Sequence, residues 1–180
     1  IVHGVVGTTS VRLLKNGIPN ITVSDGPAGL RVMQAGAVQK NGLVLYPEGL
    51  PREWQWGYLK YVAPIVKCKR GRLVYQYMSA FPCETAQAQS WDTALIEEIG
   101  KAIGREMQEI GVTVWLAPGM NLHRNPLCGR NFEYYSEDPV LTGKMAAAIT
   151  KGVQSHKGCF VTVKHFCCNN QEDSRDHMSS

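Results

Sequence analysis

An α/β fold with parallel strands is what this sequence predicts, on three observations. Short β-branched apolar runs alternate with amphipathic stretches of helical period, the helical stretches are bounded by capping residues, and each polar motif comes directly after an apolar run. Strands separated by a helix need a crossover connection, which pairs them in parallel.

The first strand is Ile21-Thr22-Val23, entered through Gly17-Ile18-Pro19 and left through Asp25-Gly26-Pro27, both turn signals. From Trp91 to Ile110, residues Leu95, Ile96, Ile99, Ile103, Met107 and Ile110 recur at three- and four-residue steps, with Asp92 as N-cap and Gly111 as the stop. Val112 to Leu116 is then the next strand. A second helix starts at about Pro139, with Asp138 as N-cap and proline at the first helical position. It runs through Leu141, Met145, Ile149 and Val153 and ends near His156 to Gly158. Cys159 to Val163 follows as a short buried strand, and Phe81-Pro82-Cys83 is a further strand candidate. Between about residues 32 and 78 no period holds for long. That stretch carries Trp54, Trp56 and the basic residues Lys67, Lys69, Arg70 and Arg72, and it reads as a long loop or insertion over the end of the sheet.

Composition narrows the function classes. A chain of 180 residues with 44% hydrophobic content suits one domain with a sizeable core. The net charge of +4 is spread without a run of five like charges, which argues against nucleic acid or an anionic membrane as partner. No apolar stretch approaches the roughly 20 residues of a membrane span. Ile1-Val2-His3-Gly4 offers neither a basic n-region nor an apolar h-region, so no signal peptide is expected, the cytoplasm is favoured, and the chain reads as one entered partway. Cys68, Cys83, Cys128, Cys159, Cys167 and Cys168 show no CxxC spacing, which disfavours a metal site and a disulfide framework alike. Cys159 reads as a small core residue. No cofactor is expected, and the sequence carries no sign of oligomeric state.

The polar motifs are Ser24 to Arg31, Ala117 to Asn121, and Lys164-His165-Phe166 followed by Asn169 to Glu172 and Arg175. In a parallel sheet the strand C-terminal ends point the same way, so these motifs converge on one site. Lysine, histidine and arginine donors on a rigid strand end suit an uncharged, hydroxyl-rich ligand. Asp25 is a candidate acceptor for sugar hydroxyls beside a glycine-rich turn, and equally a turn-forming residue before Gly-Pro. Lys164 and Arg175 also read as surface charges, and His165 as a core histidine. Arg130 either reaches the site or ties to Glu133 or Glu137. Trp54 and Trp56 either stack on a sugar face or anchor their loop. A phosphate-binding β/α enzyme is disfavoured, because no glycine-rich loop opens a helix at the needed spacing.

Three segments carry a resemblance: SDGPAGLR from Ser24, LAPGMNLHRNPLCGRNFEYYSEDP from Leu116 and VTVKHFCCNNQEDSR from Val161. They resemble the N-terminal barrel domain of glycoside hydrolase family 3, in its β-glucosidase and β-xylosidase branch. The likeness covers nearly the whole chain outside residues 32 to 78. It implies a partial (β/α)8 TIM-type barrel, with residues 1–180 as the N-terminal portion of the catalytic domain. A whole barrel takes about 250 residues, so this chain supplies about four β/α units, with open edges that make the piece prone to aggregate alone.

The resemblance also implies a substrate and roles. Asp25, Arg31, Arg130, Lys164, His165 and Arg175 would line the subsite that holds the terminal sugar of a β-linked oligosaccharide or glycoside. The family cleaves with retention, which needs two carboxyl groups about 5 to 5.5 Å apart. Its nucleophilic aspartate, in a Ser-Asp-Trp type motif, and its acid/base glutamate are both expected beyond Ser180. No catalytic residue is therefore assigned in this chain, and Asp25, Glu133, Glu172 and Asp173 are not promoted to that role. The β-N-acetylhexosaminidase branch, which resembles KHFPGHG at this point, is disfavoured by Cys167-Cys168-Asn169-Asn170-Gln171. A catalytically inactive sugar-binding or scaffold relative remains the alternative.

Overall fold

The computed structural model describes residues 7–8, 11–19, 21–32, 35–38, 44–45, 72–75, 77–174 and 177. In chain order its strands are β1 (Gly7–Thr8), β2 (Thr22–Asp25), β3 (Ala35–Val38), β4 (Val44–Leu45), β5 (Arg72–Tyr75), β6 (Val114–Leu116) and β7 (Phe160–Val161). Its α-helices are α1 (Glu84–Ala88), α2 (Thr93–Ile110) and α3 (Pro139–Gln154), with 3-10 turns at Val11–Asn16 and Asn131–Glu133. The chain divides into two units, one of residues 32–77 together with Ile1, the other of residues 2–31 and 78–180.

The larger unit is built on a four-stranded sheet in the order β1-β2-β6-β7. Strands β2 and β6 pair in parallel with Ser24 opposite Trp115, and β6 and β7 pair in parallel with Val114 opposite Phe160. β1 adds an antiparallel edge. Helix α2 begins because the Asp92 carboxylate accepts the free N–H groups of Ala94 and Leu95 at 2.9 and 3.0 Å, and it stops at Gly111, whose φ of 81° suits glycine. Asp138 caps α3 in the same way at Val140, 2.7 Å, with Pro139 at the first helical position. The two helices touch backbone to backbone. A Cβ on Gly100 would lie 2.4 Å from the Ile149 carbonyl, and one on Gly152 would lie 2.2 Å from that of Glu97. Their facing stripes, Ile96, Ile103 and Met107 against Met145, Ile149 and Val153, are fully buried together with Trp115 of β6.

Two expectations are corrected here. Phe81-Pro82-Cys83 forms no strand: the Phe81 N–H bonds the Ala28 carbonyl at 2.9 Å, and Cys83 is the N-cap residue of α1. Nor is the last strand buried, since Phe160 is 53% and Val163 41% exposed. Its β-branched run reports strand propensity, while burial depends on neighbours, and among the described residues β7 has a strand on one side only. Cys159 just before it is buried, its thiol 3.6 Å from the Gly104 carbonyl.

The smaller unit holds an antiparallel sheet in the order β4-β3-β5, with Ala35 opposite Tyr75 and Ala37 opposite Leu45. The long loop or insertion expected over residues 32 to 78 thus contains a sheet: Ala-Gly-Ala-Val in β3 carries little strand signal of its own, so this pairing escapes a reading of periodicity. Trp54, Trp56, Lys67, Lys69 and Arg70 lie outside the described residues.

Candidate functional site

The site occupies the C-terminal ends of the three parallel strands. Asp25 is the last residue of β2, Gly119 follows β6, and Lys164 follows β7. Parallel pairing is therefore what brings residues 25, 119 and 164 to one edge. The loop after β2 closes on itself, because Arg31 N–H bonds the Asp25 carbonyl at 2.9 Å and the Ser24 hydroxyl bonds the Arg31 carbonyl at 3.1 Å. Gly26 has a φ of 124°, and any Cβ there would stand 1.9 Å from the Gly29 carbonyl. The buried Trp115 indole donates to the Gly26 carbonyl at 2.8 Å and fixes this loop against β6.

Lys164 sits at the centre. Its backbone N–H bonds the Pro118 carbonyl at 2.9 Å, and it forms a parallel bridge with Gly119. Its ammonium lies 3.1 Å from Asp25 Oδ1 and 3.1 Å from Glu133 Oε2, with the lysine side chain 15% exposed and Glu133 only 5%. Glu133 comes from the 3-10 turn before α3 and also takes the Nε–H of Arg130 through its other oxygen. Arg31 reaches Asp25 Oδ2 at 3.7 Å and is otherwise largely exposed. Two carboxylates thus bridge three cations in a partly water-excluded pocket, where removing one charge strands its partner.

His165 joins through Tyr134. The buried Tyr134 hydroxyl lies 2.7 Å from His165 Nδ1 and accepts the Asn169 side-chain N–H. The tyrosine oxygen has one proton to give and room to accept, so it pairs with Nδ1 in either tautomer of His165. Burial raises the Tyr134 pKa, which keeps the phenol neutral, against the lowering effect of the Asn169 bond. Backbone carbonyls 131 and 134 are held by the Thr85 hydroxyl at 2.9 and 2.8 Å and by His123 Nε2 at 2.9 and 3.0 Å. Asn121 holds the opposite wall, donating to the Asn169 carbonyl at 3.0 Å and accepting the Asn169 N–H at 3.1 Å.

Of the candidate residues, Asp25, Arg31, Arg130, Lys164 and His165 all belong to this connected cluster, and Arg175 lies outside the described residues. Arg130 realises the structural tie to Glu133 and is three links from Asp25, through Glu133 and Lys164. Sequence reasoning passed over Tyr134, while Asn121 and Asn169 stood in the expected site motifs without a role of their own. The tandem aromatics Tyr134-Tyr135 next to Glu133 were the available signal, since a buried tyrosine needs a partner for its hydroxyl. Among the described residues no three His, Cys, Asp or Glu side chains gather to hold a metal, and no helix is long and apolar enough to cross a membrane.

Comparison with known proteins follows the same segments. A family profile described as the glycosyl hydrolase family 3 N terminal domain matches residues 63–180. Beta-glucosidase A of Butyrivibrio fibrisolvens is 38% identical over 165 residues, which is 91% of this chain and 15% of that protein. An exo-alpha-(1->6)-L-arabinopyranosidase of Bifidobacterium longum is 36% identical over 159 residues, 88% of this chain and 17% of that protein. The structure of beta-glucosidase 3B from Thermotoga neapolitana in complex with glucose superposes with a TM-score of 0.68 at 43% identity, over 94% of this chain and 19% of that one. This chain therefore spans less than a fifth of the length of each.

Proposed function

The chain belongs to the glycosyl hydrolase family 3 N-terminal domain family, and from that premise we propose that it is the front part of a retaining, exo-acting β-glycosidase of β-glucosidase type. In this reading residues 1–180 are the N-terminal portion of a (β/α)8 barrel, and they supply the subsite for the terminal sugar. The nucleophile and the acid/base belong to the remainder of the protein, so the chain alone is inactive.

The observation that carries the reading is the Lys164 ammonium shared between Asp25 and Glu133, 3.1 Å from each, at the strand ends. A sugar hydroxyl is both donor and acceptor, and a carboxylate beside an ammonium offers it one partner of each kind. Asp25 accepts from the sugar, while Lys164, His165 and two of the three arginines Arg31, Arg130 and Arg175 donate. Tyr134 orients the His165 ring through Nδ1. The relatives support a glycoside as substrate, one being a glucose complex and another acting on an arabinopyranoside, so the sugar held here is a pyranose.

The test is Asp25→Ala in the full-length protein, assayed on an aryl β-glucoside. Most of the activity is lost while the fold, read by circular dichroism, stays intact. Wild-type turnover with unchanged KM would remove Asp25 and its neighbours from the substrate site. Glucose binding by the wild-type protein without turnover would favour the inactive, sugar-binding alternative.

A further inference from the structure

Glu84 has no place in the subsite just described, yet it is 0% exposed on α1 and both of its oxygens accept the same backbone donor, Gly119 N–H, at 3.0 and 2.8 Å. We propose that Glu84 is a positioning residue for the sugar subsite, a buried carboxyl that sets Lys164 through the turn after β6. This rests on the reading of the site given above.

The linkage is continuous. Glu84 fixes Gly119. The residue before Gly119, Pro118, accepts the Lys164 backbone N–H at 2.9 Å, the residue after it, Met120, donates to the Lys164 carbonyl, and Gly119 itself bridges Lys164. The turn also lies against the other member of the cluster, for a Cβ on Gly119 would stand 1.8 Å from the Glu133 carbonyl and 2.9 Å from Glu84 Oε2. Moving the turn would thus move both the Lys164 backbone and the Glu133 turn, and with them the ammonium–carboxylate spacing that a sugar hydroxyl reads.

The surroundings of the carboxyl favour its protonated form. Burial is the main cause, raising its pKa well above that of a free glutamate; the Gly119 bond and Lys164 lower it, and Glu133 and Cys83 raise it. Tyr135, the remaining titratable neighbour, is itself buried with a hydroxyl that finds no partner among the described residues.

The experiment compares Glu84→Leu and Glu84→Gln in the full-length protein, reading glucose affinity by titration calorimetry across pH and Lys164 acylation by acetic anhydride with peptide mass spectrometry. Glu84→Leu weakens glucose binding at least about tenfold and speeds Lys164 labelling severalfold. Glu84→Gln, which keeps an oxygen for Gly119, restores most of both. Unchanged Lys164 labelling in Glu84→Leu overturns the proposal, as does a Glu84→Gln variant that loses as much as the leucine. If Glu84→Leu fails to fold, Glu84→Asp decides, because its carboxyl falls one methylene short of Gly119: labelling and glucose affinity identical to wild type count against Glu84. A wild-type protein with protected Lys164 that binds no glucose overturns the sugar-site reading instead and leaves the labelling result to judge Glu84.

Discussion

The Lys164 ammonium lies 3.1 Å from Asp25 Oδ1, although 139 residues separate them in the chain. Only the parallel pairing of β2 with β6 and of β6 with β7 brings these two strand ends together. The pair is thus a consequence of topology, and it orders the expectations that follow.

Glu133 is the more deeply buried of the two carboxylates on Lys164 and also holds Arg130. Glu133→Ala leaves two cations without their shared partner, and breaking a buried pair of this kind typically removes about 3 to 5 kcal/mol. Urea denaturation of the full-length protein should show a loss of that order, together with weaker glucose binding.

Tyr134→Phe deletes the hydroxyl between His165 and Asn169 while keeping the ring. The cost to stability is about 1 kcal/mol. His165 also loses a contact that orients its ring, so KM for an aryl β-glucoside should rise more than kcat falls.

Gly119→Ala is incompatible with the present turn, since the new methyl would enter the Glu133 carbonyl at 1.8 Å. Relief requires the turn and the Glu133 segment to part, at about 1 to 3 kcal/mol or more. Thermal unfolding should shift down, whereas Gly129→Ala, with open space around it, should leave the midpoint nearly unchanged.

Glu84 also gives stability a dependence on pH. Its folded pKa is raised, so between the unfolded glutamate value of about 4.3 and the folded value the native state holds a proton that the unfolded chain has released. Stability therefore falls as pH rises through that window, by at most about 1.4 kcal/mol per pH unit, and levels off above the folded pKa. Glu84→Gln should flatten this slope. A slope unchanged by the substitution would show that Glu84 is not its source.

The helices were legible because their signals are local: Asp92 and Gly111 bound one, Asp138 and Pro139 open the other, and the three- and four-residue apolar steps lie within each. The parallel order followed from alternation. The motifs after the strands likewise announced Asp25, Lys164 and His165, because strand ends carry sites in parallel sheets. What escaped was whatever depends on a distant partner. The exposure of Phe160 depends on which strands flank β7, the role of Tyr134 on His165 and Asn169, and that of Glu84 on a glycine 35 residues away. In a short helix reading Glu-Thr-Ala-Gln-Ala, nothing local distinguishes a buried carboxyl from a solvated one.

The claim that the Asp25–Lys164–Glu133 cluster holds sugar hydroxyls is tested most directly by titrating glucose into the full-length protein and its Asp25→Asn variant, which alters the charge but barely the shape. The account predicts saturable binding to the wild type and an affinity at least about tenfold lower for the variant, the loss of one charge-assisted hydrogen bond. Equal affinities for the two proteins would contradict it.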